Sequence, residues 1–150
     1  MYPVLLFPEE GIELLKEMSM RESIVIIGGG LMGSGIAAVS ALAGNPTVIV
    51  DVDRDKAEGG VIHALKCVRE LCSNGLAADQ PAKRAEGLLE PEADLAEALK
   101  KAGMVIEAVS ENLELKQMVF KQVDGLLPRE IPITSNTSGL RISDIARYTR

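Results

Sequence analysis

A glycine-rich turn directly after a short apolar run constrains the fold of this chain more than any other feature. Residues 23–28 read S-I-V-I-I-G, a run rich in β-branched residues that is typical of a buried central strand. Glycines stand at Gly28, Gly30 and Gly33, and the small apolar residues 31–43 predict a helix buried against a sheet. The pattern therefore predicts a strand, a tight turn and a helix in immediate succession.

The remainder of the chain repeats this alternation of strands and helices. Strands are predicted at residues 47–51, 88–90, 104–109 and 131–134, and helices at 55–73, 80–87, 94–101, 113–127 and 142–148. This order predicts a Rossmann-like α/β fold, with a doubly wound, mostly parallel sheet and helices on both of its faces. Right-handed crossovers place the first strand at the centre. A ligand is expected at the carboxyl ends of the strands, where the strand order reverses.

Two of the predicted helices have features of their own. The helix over residues 55–73 is expected to be weakened at Gly59 and Gly60. The helix over residues 113–127 carries an apolar stripe at the helical spacing, which predicts its buried face. The residues of that stripe are Leu115, Met118, Val119, Val123 and Leu126.

The glycine turn and an acid at the end of the second strand together predict a dinucleotide site. Gly28 permits the tight turn, Gly30 lets a pyrophosphate approach the backbone, and Gly33 lets the helix pack closely on the strand. The pyrophosphate is expected at the helix N-terminus, where free N–H groups and the helix dipole favour an anion. Asp51 ends the second strand, within about 20 residues of the glycines, where an acid binds the adenosine ribose hydroxyls and repels a 2′-phosphate. NAD is therefore predicted rather than NADP, and the neighbouring Arg54 softens this preference.

Polar residues follow two later strands and face the same predicted crevice. Glu111 stands just after the strand over 104–109, and Ser138 ends the S-N-T-S segment that follows the strand over 131–134. From the residues alone, Ser138 is equally well explained by turn formation and Lys116 by a solvated helix position. Glu107 lies inside an apolar strand, where a carboxylate needs a partner, and a structural hydrogen bond is favoured over a functional role.

Composition argues against several other classes of protein. The formal net charge is −6 and no basic cluster offsets it, so nucleic-acid binding is not expected. No run of about 18 apolar residues is present, so a membrane span is not expected either. Cys67 and Cys72 fall on different sides of one predicted helix, which argues against a bridge between them and fits a cytoplasmic protein with reduced thiols. No metal site is predicted.

The chain is predicted to hold one domain after a short extension. Residues 21–150 form the predicted domain, and residues 1–20 form the extension, which lacks the basic start of a targeting signal. An amphipathic helix over residues 8–18 that packs on the domain is an equally good interpretation of the same segment.

Three motifs, in this order, resemble the 3-hydroxyacyl-CoA dehydrogenase family. They are G-G-G-L-M-G-S-G-I-A followed by V-I-V-D, then V-I-E-A-V-S-E-N-L-E-L-K, and finally S-N-T-S-G-L. The likeness is to the N-terminal NAD-binding domain of that family and covers residues 23–150. It implies NAD as the cofactor and an enzyme that oxidises the 3-hydroxyl of an acyl-CoA, passing hydride to NAD, in fatty acid metabolism.

The resemblance also implies roles for individual residues. Asp51 matches the family's ribose-binding acid, and Glu111 matches an acidic residue near the nicotinamide side of the cofactor. Lys116 matches a lysine beside the cofactor and the acyl-CoA, and Ser138 matches the serine that hydrogen-bonds the 3-oxygen of the substrate. Asn136, in the same turn, is predicted as a cofactor contact. The other predicted cofactor contacts are Gly28, Gly30, Leu31, Met32, Gly33 and Val109.

The family pattern breaks at its catalytic base. In the family a histidine within G-x-H-F-F-N-P, about twenty residues beyond S-N-T-S, takes the hydroxyl proton. This chain reaches Arg150 before that point, and its one histidine, His63, is predicted on the surface of the helix over 55–73. The chain alone is therefore expected to bind NAD weakly and to turn over nothing. The family's C-terminal helical domain is expected to be absent, which would expose an apolar face and is compatible with a homodimer.

Two other functions stay open at this point. The chain is alternatively a self-standing NAD-binding module with a regulatory role, or the cofactor domain of a related sugar-acid dehydrogenase. The gene sequence beyond Arg150 would separate these readings. A continuing frame with G-x-H-F-F-N-P supports a dehydrogenase fragment, and a stop codon supports the self-standing module.

Overall fold

A computed structural model describes residues 23–150; the extension predicted for residues 1–20 and the alternative helix over 8–18 lie outside the described residues. Strands and helices alternate along the described part. The strands are β1 (Ser23–Ile27), β2 (Thr47–Val50), β3 (Leu89–Glu92), β4 (Ala102–Glu107) and β5 (Ile133–Ser135). The helices are α1 (Leu31–Leu42), α2 (Arg54–Ser73), α3 (Asp79–Glu86), α4 (Leu95–Leu99), α5 (Leu113–Leu126) and α6 (Ile142–Ile145), followed by a 3₁₀ turn over Ala146–Tyr148.

The five strands form one parallel sheet in the order β3-β2-β1-β4-β5. The first strand is central, since Val25 pairs with Val48 on β2 and with Val105 on β4. The chain proceeds outward from β1 to β3 and then resumes on the other side of β1 with β4. The strand order therefore reverses between β1 and β4, where a doubly wound sheet opens a crevice at its carboxyl edge. The predicted doubly wound fold is confirmed.

Apolar side chains cover both faces of this sheet. Successive strand residues point to opposite faces of the sheet. The adjacent residues Val25 and Ile26 of β1 are both fully buried, so both faces are covered at this strand. Val25 belongs to a cluster with Leu99 of α4 and Val123 of α5. Ile26 belongs to a second cluster with Ala37 of α1 and other residues of α2 and α3. Because all four strand pairs are parallel, the carboxyl ends of the strands lie at one edge of this covered sheet.

The element boundaries differ from the predicted ones where pairing or local hydrogen bonds override the apolar pattern. The fourth strand begins at Ala102 because this residue pairs with Ser23. It ends at Glu107, where the N–H of Val109 turns back to donate to the Glu107 carboxylate at 2.7 Å. The third strand extends through Pro91, which an edge strand tolerates because its outer side has no ladder partner.

The buried face of α5 is rotated relative to the predicted stripe. The two valines of the stripe are buried, but Met118 and Leu126 are exposed at 52% and 53%. The buried face is completed by Lys116 and Phe120. The prediction was wrong at these positions because a hydrophobic pattern does not place a lysine inside.

Two further predictions concern the helices of the described part. Between Ser23 and Arg150, no helix has both the length and the apolarity that a bilayer crossing needs. Cys67 and Cys72 are free thiols, which confirms the prediction that they form no bridge.

Candidate functional site

A cleft of about 700 Å³ opens at the carboxyl ends of β1, β2 and β4, at the point where the strand order reverses. Three of the chain segments that line it each directly follow one of these strands. The lining includes Gly28, Gly30, Leu31 and Met32 of the glycine turn, Asp51 and Val52 after β2, Val109 and Ser110 after β4, and Leu115, Met118 and Gln122 of α5. Six of the residues predicted as cofactor contacts therefore share one cleft.

The glycines of the turn differ in their steric surroundings. Gly28 has a φ of +106°, and a Cβ there would lie 2.7 Å from the carbonyl oxygen of Ala108. A Cβ on Gly33 would lie 1.8 Å from the carbonyl oxygen of Gly28, so α1 can pack on the turn only with glycine at this position. A Cβ on Gly30 would meet no atom within 4 Å. Gly28 and Gly33 thus shape the turn, whereas Gly30 leaves the backbone open on the cleft side.

The helix that follows the turn has an uncapped N-terminus at this cleft. Its N-cap residue is Gly30, which offers no side chain, and its first turn contains no acidic residue. The first N–H groups of a helix have no acceptor within the helix. In α1 these donors and the positive end of the helix dipole are available to an anion in the cleft.

The backbone holds Asp51 in place on one side of the turn. Its Oδ2 accepts the N–H of Gly29 at 2.8 Å, and its Oδ1 accepts the N–H of Val52 at 2.8 Å. A carboxylate has about four acceptor sites, so lone pairs remain for ribose hydroxyls. The Nε of Arg54 lies 2.8 Å from Oε1 of Glu58, so the basic residue expected to soften the NAD preference is engaged on its own helix.

Sequence reasoning missed the role of Gly60. The helix α2 runs unbroken from Arg54 to Ser73 and so continues through Gly59 and Gly60. A Cβ on Gly60 would lie 2.9 Å from Cα of Gly29, which means that α2 passes directly over the glycine turn. This tertiary contact outweighs the low helix propensity of glycine. A glycine pair inside an otherwise good helical pattern was the available signal for such a close approach.

A buried ion pair lies at the end of β4. Glu107 is fully buried and Lys116 is 1% exposed, and the Lys116 Nζ donates to Oε1 of Glu107 at 2.7 Å. The same Oε1 accepts the N–H of Val109 at 2.7 Å, and Oε2 accepts the Ser135 hydroxyl at 2.5 Å. The partner expected for the Glu107 carboxylate is confirmed. The interpretation of Lys116 as a solvated helix residue is wrong, because its partner lies inside.

Glu111 connects the loop after β4 to the S-N-T-S turn after β5. Its Oε1 accepts the Thr137 hydroxyl at 2.5 Å and the N–H of Gly139 at 3.3 Å, and its Oε2 lies 3.3 Å from the Lys116 Nζ. The Thr137 hydroxyl, followed by the Lys116 ammonium, holds the pKa of Glu111 below its ordinary value of 4.5. Glu111 is therefore ionised at neutral pH, and about half of its side chain is exposed.

The remaining predicted residues lie on the exposed side of these elements. Ser138 and Asn136 are exposed in the loop after β5 and do not line the cleft. The backbone N–H of Asn136 donates to the carbonyl oxygen of Glu107 at 2.7 Å, which ties this loop to the end of β4. His63 is exposed on α2, as predicted, and is not among the cleft residues.

The cleft fits a dinucleotide at each of its parts. The open backbone at Gly30 and the uncapped N-terminus of α1 fit a pyrophosphate, and the fixed carboxylate of Asp51 fits a ribose. The fold and this site together define a dinucleotide-binding domain of the doubly wound α/β class.

Comparison with known families narrows this class. The model of the 3-hydroxyacyl-CoA dehydrogenase NAD-binding domain matches residues 23–150, and the chain belongs to this family. NAD is therefore its cofactor. A mitochondrial hydroxyacyl-coenzyme A dehydrogenase of Rattus norvegicus is 36% identical over 131 residues, which cover 84% of this chain and 42% of the relative.

Two further relatives also match most of this chain over a small part of their own length. A peroxisomal fatty acid beta-oxidation multifunctional protein of Arabidopsis thaliana is 32% identical over 86% of this chain and 18% of its own length. The crystal structure of 3-hydroxybutyryl-CoA dehydrogenase from Escherichia coli K12 superposes with a TM-score of 0.78 at 30% identity, over 86% of this chain and 27% of that one. The chain thus spans less than half the length of each of these relatives.

Proposed function

We propose that this chain supplies the cofactor half of an NAD-dependent enzyme that oxidises the 3-hydroxyl of an acyl-CoA in fatty acid oxidation. When bound, NAD supplies the hydride acceptor. The observation that carries the proposal is the cleft itself, which joins the glycine turn, Asp51 and the loop after β4 at one edge of the sheet. The Arabidopsis relative is named for fatty acid beta-oxidation, and the rat relative for hydroxyacyl-CoA dehydrogenation, which supports the substrate class.

The proposed roles follow the two ends of the cleft. At one end, the backbone from Gly28 to Gly33 and the N-terminus of α1 bind the pyrophosphate, with Leu31 and Met32 beside it, and Asp51 binds the adenosine ribose. At the other end, Val109 lines the cleft, and the neighbouring residues Glu111, Lys116 and Asn136 are assigned to the nicotinamide side. Ser138 orients the substrate through its 3-oxygen, since its hydroxyl is exposed in the loop that Glu111 holds.

We propose further that His63 is not the general base of this reaction. Oxidation of an alcohol needs a group that takes the hydroxyl proton within hydrogen-bond reach. His63 is exposed on α2 and lies outside the cleft lining, and it is the one histidine in the sequence. The 150 residues alone are therefore expected to bind NAD and to give no detectable reduction of acetoacetyl-CoA with NADH. Robust turnover would disprove this part of the proposal.

Calorimetric titration with NADH tests the cofactor site. Asp51→Ala removes the ribose acceptor, and Gly30→Val places a branched side chain where the backbone is open to the cleft, so both variants should lose binding. Asp55→Ala and Gly35→Val are the matched controls, because Asp55 is an exposed acid of the first turn of α2 and a Cβ on Gly35 meets nothing within 4 Å. Wild-type affinity in both test variants would overturn the site assignment.

The substrate, the oligomeric state and the cellular location of the complete protein are further proposals. The acyl-CoA is proposed as the substrate of the complete enzyme, and a homodimer is proposed from the apolar surface that includes Leu31 and Val39 of α1. A cytoplasmic location is predicted from the two reduced cysteines, whereas the names of relatives include mitochondrial and peroxisomal forms. Analytical ultracentrifugation tests the homodimer, and cell fractionation of the native protein tests the location.

A further inference from the structure

Glu107 is buried too deeply to contact a ligand in the cleft. Its side chain has no exposed area, and it does not line the cleft. It nevertheless stands at the last position of β4, immediately before the loop that forms one side of the cleft. A buried carboxylate is costly unless each of its oxygens is paired, and here each is.

Lys116 has no donor left for a ligand in this arrangement. An ammonium carries three N–H donors. The Lys116 Nζ donates to Oε1 of Glu107 at 2.7 Å and to the carbonyl oxygen of Val109 at 3.2 Å, and it lies 3.3 Å from Oε2 of Glu111. Its effect on the cleft therefore passes through the position of its neighbours, above all the half-exposed Glu111.

The contacts of Glu107 join three segments, of which the most distant lies 28 residues away in the chain. Its carboxylate accepts from Val109 in the loop after β4, from Lys116 on α5 and from Ser135 at the end of β5. Its carbonyl oxygen accepts the N–H of Asn136 at the start of the S-N-T-S loop. One residue thus sets the relative positions of the two loops that carry Glu111 and Ser138.

The loops after β4 and β5 lie on one side of the central strand β1, and Asp51, which follows β2, lies on the other side. In a doubly wound fold each half of the sheet binds one nucleotide of the cofactor, and the acid after β2 binds the adenosine ribose. The loops after β4 and β5 therefore belong to the nicotinamide half. We propose that Glu107 is a positioning residue for this half, acting through Lys116 and Glu111 on the nicotinamide nucleotide and leaving the adenosine half unaffected. This inference rests on the proposed assignment of the cleft to NAD.

The test compares two ligands that differ by the nicotinamide nucleoside. NADH occupies both halves of the proposed site, and ADP occupies the adenosine half and the pyrophosphate site. Both are titrated by calorimetry into the full chain, and the fluorescence anisotropy of NADH reports the nicotinamide ring directly. Glu107→Gln removes the negative charge at nearly constant volume. Glu90→Gln is the matched control, because Glu90 is an exposed residue of β3 outside the cleft.

Glu107→Gln is expected to weaken NADH binding about tenfold, which corresponds to ~1.4 kcal/mol, and to leave ADP binding unchanged. Equal affinity of wild type and variant for NADH would overturn the proposal. So would an equal loss for both ligands, since a general loss of structure does not distinguish the two halves. Failure of wild type to bind NADH would instead reject the cofactor assignment, and the inference with it.

A second variant keeps the test valid if Glu107→Gln does not fold. The double variant Glu107→Leu with Lys116→Met replaces the buried pair by apolar residues, an exchange that proteins tolerate well. It is expected to keep the melting temperature within a few degrees of wild type and to show the same selective loss of NADH. Wild-type NADH binding by a folded double variant would overturn the proposal.

Discussion

The two ends of the proposed site consist of different chemical groups. At the Asp51 end the proposed ligand groups are backbone N–H groups of the glycine turn and one carboxylate, fixed by a hydrogen bond between residues 22 apart. At the Glu111 end, beside the cleft lining, the proposed ligand groups are side chains, held by a buried ion pair and by hydrogen bonds between residues 26 and 28 apart. The first end depends on the absence of Cβ atoms, and the second on matched charges. Substitutions should therefore damage the two ends in different ways.

The largest effect is expected for Lys116→Met. This change leaves the fully buried Glu107 carboxylate without its ammonium, and breaking a buried pair in this way costs about 3–5 kcal/mol. Chemical denaturation measures the loss. Lys121→Met on the exposed side of the same helix is the control and should change stability by less than ~0.5 kcal/mol. If both variants were equally stable, the charge-matching account of this end would be wrong.

Gly33→Ala tests the other end and should have the next largest effect. Its Cβ would lie 1.8 Å from the carbonyl oxygen of Gly28, so the turn and α1 must move apart, at a cost of about 1–3 kcal/mol. Binding of NADH should be lost with it. Gly35→Ala, where a Cβ meets nothing within 4 Å, should raise stability by ~0.5–1 kcal/mol. Unchanged stability and NADH binding in Gly33→Ala would contradict the steric account.

The difference between the ends also explains what the sequence could and could not predict. The glycine turn and Asp51 form a local pattern between two apolar runs, so their proximity follows from the order of the elements. The partner of Glu107 depends on the strand register, which pairs Glu107 with Ser135 across 28 residues. No periodicity in one segment contains that information. The ion pair with Glu107 turns Lys116 inward, and the buried face of α5 is therefore rotated relative to the predicted stripe.

A smaller effect is expected from releasing Arg54 at the Asp51 end. Glu58→Gln breaks an exposed pair, worth ~1 kcal/mol or less, and frees the guanidinium of Arg54, three residues after the proposed ribose-binding Asp51. The ratio of NADP affinity to NAD affinity should therefore rise by about threefold, as measured by competition against NADH. Glu70→Gln, which releases Lys66 elsewhere on the same helix, should leave the ratio unchanged. An unchanged ratio in Glu58→Gln would mean that Asp51 alone sets the preference.

The smallest effect concerns the pH dependence of the Glu111 end. The Thr137 hydroxyl is the largest cause of the lowered pKa of Glu111, so Thr137→Val should return that pKa toward 4.5. A lowered pKa in the folded state adds stability above the ordinary pKa and loses it as pH falls through the lowered one. The stability difference between wild type and Thr137→Val should thus be largest above pH 4.5 and shrink in more acidic solution. NMR titration of the Glu111 carboxyl measures the shift, with Thr134→Val as control, since the Thr134 hydroxyl donates to a backbone carbonyl instead. An unchanged Glu111 pKa in Thr137→Val would show that the Lys116 ammonium and the Gly139 N–H, and not Thr137, lower this pKa.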